Sequence, residues 1–201
     1  MTTKTPATKK TSEARTVKKP VSQSLDLPNN PLIFEILDLV SRQKSKAKKV
    51  EVLQKYNHDA LRMLLIWNFD ESVISMLPFG EVPYSGYADQ SIHSGTLSTR
   101  ITEEVRRMYE VGSFSIGSSD SSAKSTLRRE SKHFYHFVKG GNNGLSTIRR
   151  ETMFINLLEG LHPLEAEVLC LVKDKKLSDK YKLTKEIVAE AFPEIVWGNR
   201  S

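Results

Sequence analysis

The sequence contains a single cysteine, Cys170, so no disulfide can form within the chain. A lone thiol is typical of a protein from a reducing compartment, and its place beside an apolar helical stripe favours a small buried side chain over a nucleophile. The longest apolar run, residues 63–67, is far too short to span a bilayer, and the N-terminal residues lack the apolar segment of a secretory signal. We therefore expect a soluble protein of the cytoplasm.

Motifs for catalysis and cofactor binding are also missing. The sequence has no Walker or Rossmann glycine pattern, no Gly-x-Ser-x-Gly elbow and no His-Glu-x-x-His. His133 and His136 are three residues apart on one predicted helix face, but a structural zinc site needs four ligands and the other histidines are scattered. Acidic residues lie mostly in first helical turns or on solvated faces. We expect a protein that is not an enzyme and that binds no cofactor or metal.

Positive charge is present, but it is confined to two short stretches. The net charge is +6, and residues 1–24 carry six basic residues against Glu13 alone. Residues 42–55 carry another six against Glu51, whereas the rest of the chain is net acidic. This distribution favours contact with a polyanion at one end of the molecule over a body wrapped in nucleic acid.

Residues 1–24 are rich in Thr, Lys, Ser and Ala and contain almost no apolar side chains. They cannot bury enough surface to offset the entropy of ordering, so a disordered basic tail is predicted. Such a tail could tether nucleic acid by releasing counterions, or it could simply keep the protein soluble. An organelle transit peptide is disfavoured because the tail has no amphipathic apolar face.

Residues 145–197 show the clearest helical pattern of the chain. The pair His162-Pro163 restarts the backbone, because proline suits the first turn of a helix. A polar connector at residues 177–183 leads to Thr184 as the N-cap of a last helix, which Pro193 ends. Three packed helices are predicted, and their apolar stripes consist of Ile148, Ile155 and Leu158; Leu164, Val168, Leu171 and Val172; and Ile187, Val188, Ala191 and Phe192.

Four further helices are predicted in the first half of the chain. Asn30-Pro31 is typical of a helix start, Ser45 caps the second helix, the third begins at Asn57 or Asp59, and Thr99 caps the fourth. The predicted inward-facing residues are Ile33, Ile36, Leu37 and Val40; Ala47, Val50 and Leu53; Leu61, Leu64, Leu65 and Trp67; and Ile101, Val105 and Met108.

A Ser/Gly-rich linker at residues 112–125 separates this half from the second. The linker is followed by a predicted basic and aromatic helix that buries Leu127, Phe134, Tyr135 and Val138 and ends at the glycines of residues 140–144. The expected fold is all-α, with two small helical subdomains. The predicted organisation is a tail at 1–24, a helical region at 25–111, the linker at 112–125 and a helical region at 126–201.

Three groups of basic residues are the candidates for nucleic-acid binding, since Lys and Arg contact phosphate groups without reading sequence. For the second group, a solvated helix face that needs no ligand is the favoured interpretation over a phosphate-contacting edge. The candidate residues are Lys9, Lys10, Arg15, Lys18 and Lys19 in the tail; Arg42, Lys44, Lys46, Lys48 and Lys49; and Arg128, Arg129 and Lys132 on the basic and aromatic helix, which extends from Lys124 to His136.

A proline- and aromatic-rich segment at residues 77–84 has no helical period and predicts an extended, ordered loop. Its aromatic side chains could stack on a base, fill a partner's pocket or simply cover the core. The candidate partner-binding residues of this loop are Leu77, Pro78, Phe79, Pro83 and Tyr84.

The last two helices also suggest a helix-turn-helix, with residues 184–192 as the recognition helix. That helix offers Lys185 against Glu186 and Glu190, whereas a helix in the major groove normally carries Arg, Lys, Asn or Gln. The connector at residues 174–183 is also long for such a turn. Packing within the core is the favoured interpretation.

Two segments carry a resemblance to a known family. Residues 30–84 contain Phe-Glu-Ile-Leu near their start, at 34–37, and finish with Leu-Pro-Phe-Gly-Glu-Val-Pro-Tyr. Residues 149–197 contain Leu-Leu-Glu-Gly-Leu-His-Pro-Leu-Glu-Ala-Glu, Lys-Asp-Lys-Lys-Leu and Glu-Ala-Phe-Pro. Together they resemble an uncharacterised family of small proteins of tailed bacteriophages that infect marine cyanobacteria and related bacteria. The resemblance implies a phage product made in a bacterial host cytoplasm, and it implies no catalytic or binding residues.

The sequence thus predicts a non-enzymatic phage accessory protein that associates with nucleic acid, or with a replication or transcription assembly. The partner would be DNA or RNA, contacted without sequence specificity, together with phage or host proteins and no membrane. The alternative is a virion or assembly protein that docks on a protein partner through the loop at residues 77–84.

Overall fold

The computed structural model describes residues 27–83, 95–111 and 123–200 of the chain. These residues form helices, loops and one isolated antiparallel bridge between Ser75 and Val138, and they contain no β-strand. The all-α prediction is therefore confirmed. The predicted tail at residues 1–24 and most of the predicted linker lie outside the described residues.

The described residues form nine α-helices and one 3-10 helix. They are α1 (Ile33–Arg42), α2 (Lys46–Lys55), α3 (Asp59–Phe69), α4 (Leu97–Val111), α5 (Leu127–Glu130), the 3-10 helix (Ser131–Phe137), α6 (Thr147–Gly160), α7 (Pro163–Lys173), α8 (Leu177–Tyr181) and α9 (Lys185–Ala191). Helix α7 is central, because α1, α3, α4, α6 and α8 all pack on it, while α2 packs along α9. Buried residues from both predicted helical regions join one hydrophobic core.

Several helix starts agree with their sequence signals. The Ser45 hydroxyl accepts the Lys48 amide N–H at 3.3 Å, His162 precedes Pro163 at the first position of α7, and Thr184 directly precedes α9. Most of the predicted apolar residues of these helices face the core, with Val168, Val172 and Val188 fully buried, whereas Leu171 is half-buried. Of the two predicted starts for the third helix, the structure selects Asp59, with the His58 imidazole accepting the Leu61 N–H at 3.2 Å.

Helix α1 does not begin at Asn30-Pro31 as predicted; it begins at Ile33. The Ile33 amide N–H donates to Glu165 Oε1 at 3.0 Å, so a carboxylate from the central helix replaces the expected asparagine cap. The Pro31 carbonyl accepts two bonds from the Arg128 guanidinium, at 3.2 and 3.0 Å. Tertiary partners that are distant in sequence therefore override the local signal.

Glu165 caps two helices at once. Its Oε1 accepts from Ile33 at the start of α1, and its Oε2 accepts the Leu127 N–H at the start of α5 at 2.9 Å. The residue is 0% exposed, and burial raises the pKa of this carboxyl to about 7, against the opposing effect of the two backbone hydrogen bonds and of Arg128. The carboxylate therefore joins three helices through groups that would otherwise be buried without partners.

The predicted polar connector at residues 177–183 contains helix α8, with Leu177 and Tyr181 buried. The reason is again a distant cap, because the Leu177 N–H donates to the buried Asn68 Oδ1 at 3.1 Å. The side chain of Asn68 comes from α3, more than a hundred residues earlier in the chain. No local pattern could indicate this contact.

The predicted basic and aromatic helix is α-helical only over α5 and continues as the 3-10 helix. Residues three apart share a face in a 3-10 helix, so Phe134 and Phe137 both point into the core. Phe137 stacks on Trp67 at a centroid distance of 6.3 Å and meets Phe154 edge-on at 5.3 Å. The predicted burial of Tyr135 is wrong, since it is 49% exposed.

Three smaller predictions also fail. Ala47 is exposed, and Ile148 is 80% exposed, because α2 and α6 present these positions to solvent. Helix α4 begins at Leu97 rather than after Thr99, and the Thr96 hydroxyl accepts the Thr99 N–H at 3.2 Å. Among the described helices, none is long and apolar enough to cross a bilayer.

We predict that Glu165→Ala lowers the free energy of unfolding by roughly 2–6 kcal/mol, because it leaves two buried N–H groups without acceptors at about 1–3 kcal/mol each. Urea denaturation measures this change. Glu159→Ala on α6 is the matched control, because Glu159 is exposed. Equal stability of the two variants would contradict the double-cap interpretation.

A second prediction concerns pH. The pKa of Glu165 is raised from 4.5 to about 7, so the folded state holds an extra proton in that interval and stability falls as pH rises through it. His58 acts in the opposite direction, because burial and the charge of Arg128 lower its pKa from 6.5 to about 4, so stability rises with pH between those values. The two effects oppose each other in the wild-type protein.

The variant His58→Asn removes the second effect and keeps a good N-cap for α3. Its stability should therefore fall by roughly 3 kcal/mol between pH 4.5 and pH 7, since one pKa unit corresponds to about 1.4 kcal/mol. Denaturation midpoints across this range, compared with those of the wild type, measure the difference. Stability that stays level in His58→Asn would count against a neutral buried Glu165.

Candidate nucleic-acid interface

The packing of α2 along α9 gathers lysines from two distant parts of the chain. Lys49 Nζ donates to the Lys182 carbonyl at 2.6 Å, and Lys46 pairs with Glu190 at 2.7 Å. Lys185 lies at the start of α9, with its Nζ 5.1 Å from the Trp197 ring centroid. We call this the lysine surface, and it consists of Lys44, Lys46, Lys48, Lys49, Lys182 and Lys185.

In the predicted second group of basic residues, between Arg42 and Lys49, only some side chains lack an ion-pair or hydrogen-bond partner among the described residues. Arg42 pairs with Asp38 at 2.6 Å. Lys44 and Lys48 are exposed, and in the part of the chain that the structure describes their ammonium groups have no acid or hydrogen-bond partner. A phosphate could bind these two lysines without breaking an existing ion pair. Lys182 and Lys185 are not among the predicted binding residues, because only the tertiary packing brings them beside α2.

The residues of the third predicted group, Arg128, Arg129 and Lys132, differ in burial. Arg128 is half-buried, and its bonds to the Pro31 carbonyl use it to hold α5 against the start of α1. Arg129 and Lys132 are exposed and have no ion-pair partner among the described residues. The second and third predicted groups lie at opposite ends of α1, whose length is about 15 Å at 1.5 Å per residue. The tail residues Lys9, Lys10, Arg15, Lys18 and Lys19 lie outside the described residues.

The 3-10 helix also forms one wall of an apolar groove with a volume of about 390 Å³. Trp67 and Phe134 line it together with the half-exposed side chains of Met63 and Tyr135, and the basic residues Lys132 and Arg200 complete the lining. We call this the aromatic groove. It lies next to the exposed row of Arg129, Lys132 and Tyr135.

The histidines of the 3-10 helix do not line the groove, but the His136 ring contacts the Tyr135 ring, with the centroids 3.9 Å apart. The rings of His133 and His136 are stacked with their centroids 6.0 Å apart, and His136 Nδ1 lies 2.9 Å from Asn142 Nδ2. Over residues 27–83, 95–111 and 123–200, no three acidic, histidine or cysteine side chains come together as metal ligands would. Burial raises the pKa of the Cys170 thiol to about 12, which makes it a poor nucleophile.

The predicted loop is fixed by the end of α7. Lys173 Nζ donates to the carbonyls of Pro78 at 2.7 Å and Gly80 at 3.0 Å, and its side chain is 1% exposed. The Asp174 carboxylate pairs with Lys173 at 2.5 Å and accepts the Gly80 N–H at 3.2 Å. A buried charged pair therefore holds the backbone of this loop in one conformation.

The loop both covers the core and presents an aromatic side chain. Leu77 and Val82 are buried, whereas Phe79 is 73% exposed with Lys176 Nζ 4.7 Å from its ring centroid. Pro78 and Pro83 are exposed, and Tyr84 lies outside the described residues. Phe79 is thus the aromatic side chain that this rigid loop offers to a partner.

The arrangement of α7, α8 and α9 differs from a helix-turn-helix, because α8 lies between the two candidate helices. Helix α9 packs on α2, and it leaves Lys185, Glu186 and Glu190 exposed. A recognition helix with this exposed face would bring two carboxylates toward phosphate groups.

Comparison with known proteins gives one match. A family of unknown function (DUF6433) matches the chain over residues 36–121 and 116–179. No curated protein and no solved structure matches the chain. The matched residues cover most of the sequence, and they include all of α7 and its cap residue Glu165.

Proposed function

The chain belongs to the family of unknown function DUF6433, and we propose that it is a non-enzymatic accessory protein that associates with nucleic acid through its basic surfaces. The observation that carries this proposal is the lysine surface. Lys44 and Lys48 are exposed without an ion-pair partner among the described residues, and the nearby Lys49 contacts Lys182, which follows α8. Unpaired ammonium groups bind phosphate without first losing an internal partner.

The proposed contact is with the sugar–phosphate backbone. Lysine ammonium groups on flexible stems act as point charges and release counterions from the polyanion, which supplies affinity without sequence readout. The acidic residues of α9, Glu186 and Glu190, disfavour insertion of this helix among the bases. The six basic residues of the first 24 positions add charge of the same sign.

The resemblance to proteins of tailed phages of marine cyanobacteria supports a biological setting for this proposal. We place the protein in the cytoplasm of a bacterial host, as an accessory to a phage replication or transcription assembly. Such assemblies operate on exposed nucleic acid, where sequence-independent phosphate contacts add affinity for many sites.

The double variant Lys44→Gln/Lys48→Gln should weaken binding to labelled DNA and flatten its salt dependence. Each lost phosphate contact lowers the slope of log affinity against log salt by about 0.9 for duplex and about 0.7 for single strands. We therefore expect a slope smaller by roughly 1.4–1.8 in a fluorescence titration over a salt series.

The matched control is Arg107→Gln/Arg149→Gln, which removes the same number of charges from exposed positions on α4 and α6. The control should lower affinity only slightly and leave the slope unchanged. Equal slopes in the lysine double variant and the wild type would exclude a role of the lysine surface in nucleic-acid binding.

Phe79 favours a second candidate function, that of a virion or assembly protein that docks on a protein partner. An exposed aromatic side chain on a loop already held by buried Lys173 loses little conformational freedom when it is buried by a partner. Aromatic anchors of this kind often dominate interface energies. The docking surface of this candidate consists of the exposed residues Pro78, Phe79 and Pro83, and Phe79 is the large apolar side chain among them. The predicted partner-binding role of Leu77 is wrong, because this side chain is buried in the core.

If this candidate is right, Phe79→Ala should weaken co-sedimentation with purified phage particles by roughly thirty-fold or more, since a hot-spot residue contributes about 2 kcal/mol or more. The variant should fold normally because Phe79 is exposed. Tyr135→Ala, which removes another exposed aromatic side chain, is the control. Complete absence of the wild-type protein from particles would exclude the virion role.

A further inference from the structure

The aromatic groove has the properties of a ligand site. Its volume of about 390 Å³ lies within the range of roughly 300–1,000 Å³ that small-molecule pockets occupy. Trp67 and Phe134 contribute buried aromatic rings, while the Tyr135 ring is 49% exposed and the Met63 side chain 45% exposed. A flat apolar group could therefore contact both aromatic and thioether side chains.

Cations lie beside the apolar lining. Residues three apart align in a 3-10 helix, so Lys132 and Tyr135 share one exposed face, with Arg129 one turn earlier. With a rise of about 2.0 Å per residue, Lys132 and Tyr135 are about 6 Å apart along the axis of the 3-10 helix, while Arg129 belongs to the preceding helix α5. Among the described residues that line the groove, none is acidic. The groove therefore suits an occupant that combines a flat apolar part with a nearby negative charge.

One polar atom of the lining lacks a partner. Trp67 is 2% exposed, and its Nε1–H has no hydrogen-bond acceptor in the described part of the structure. A buried donor without an acceptor costs about 1–3 kcal/mol. Because this nitrogen is itself buried, Trp67 forms the packed floor of the groove, and the exposed parts of the lining are the ones that an occupant can contact.

We propose that the aromatic groove binds an unpaired base of a single-stranded nucleic acid while Arg129 and Lys132 contact the adjoining phosphates. This inference rests on the proposed association with nucleic acid and specifies that the protein prefers the single-stranded form. A nucleotide supplies a flat π face and a phosphate charge in one unit. In a duplex the bases are stacked and paired, so only an unpaired base can enter the groove.

The test compares a labelled oligo(dT) of fifteen nucleotides with a duplex of the same length at one salt concentration. The variant Trp197→Phe leaves Trp67 as the only tryptophan, because the chain contains two. We expect the single strand to bind more tightly than the duplex and to quench the Trp67 emission. Tyr135→Ala should weaken binding of the single strand by roughly five- to 150-fold, as loss of one base–aromatic stack does, and leave duplex binding unchanged.

Two controls separate stacking from folding. Tyr135→Phe keeps the ring and should retain the wild-type affinity. Phe79→Ala removes an exposed ring that lies outside the groove, and it should also retain the wild-type affinity. Circular dichroism of Tyr135→Ala should match the wild type, since the side chain is half-exposed.

Three outcomes would overturn the inference. Equal affinity for both DNAs, with no effect of Tyr135→Ala but a flattened slope in the Lys44→Gln/Lys48→Gln variant, would leave nucleic-acid association standing and remove the groove from it. No binding of either DNA at low salt would reject both proposals. A change in sedimentation of Tyr135→Ala, with unaltered DNA binding, would instead identify the groove as an interface between copies of the chain.

Discussion

The Glu165 carboxylate is the constraint on which the arrangement of the described helices depends. It lies in the first turn of the central helix α7, and its two oxygens accept backbone N–H groups from Ile33 and Leu127, which begin α1 and α5. Helix starts have N–H groups without intrahelical partners, and in a buried position these groups must find acceptors. A single side chain provides both acceptors, so its position fixes where two other helices begin and how they meet α7.

The same device appears elsewhere in the fold. Asn68 of α3 accepts the Leu177 N–H that begins α8, and Asp70 accepts the Gly198 N–H near the end of the described residues. Each of these polar side chains is buried, and each joins segments that are more than a hundred residues apart. Such contacts carry specificity as well as stability, because a hydrophobic core alone tolerates alternative helix registers, whereas a buried donor does not.

This explains how far the sequence could predict the fold. Helices α7 and α9 follow from their apolar periods and from Pro163 and Thr184, since all of those signals are local. The start of α1 and the existence of α8 could not be predicted, because Glu165 and Asn68 act from other helices. The 3-10 helix was not predicted for a different reason. Its period of three residues turns Phe134 and Phe137 toward the core, whereas the assumed α-helical period of 3.6 placed Tyr135 there. Because of that error, the row formed by Arg129, Lys132 and Tyr135 beside the aromatic groove was not predicted. Lys182 and Lys185 were not predicted as binding residues either, since only the helix packing brings them to the lysine surface.

The two ends of α7 support different surfaces, and this bears on how the proposed functions relate. Glu165 at the first turn holds α5, and with it the row that borders the aromatic groove; Lys173 at the last residue holds the loop that presents Phe79. Glu165 and Lys173 are eight residues apart, which is about 12 Å along the helix at 1.5 Å per residue, so the two anchor points are separated by more than a nucleotide's length. A strand in the groove would therefore leave Phe79 accessible. Nucleic-acid association and docking on a protein partner are thus compatible in one molecule, and the proposed accessory role requires that compatibility, because an accessory protein must contact its assembly while it holds the strand.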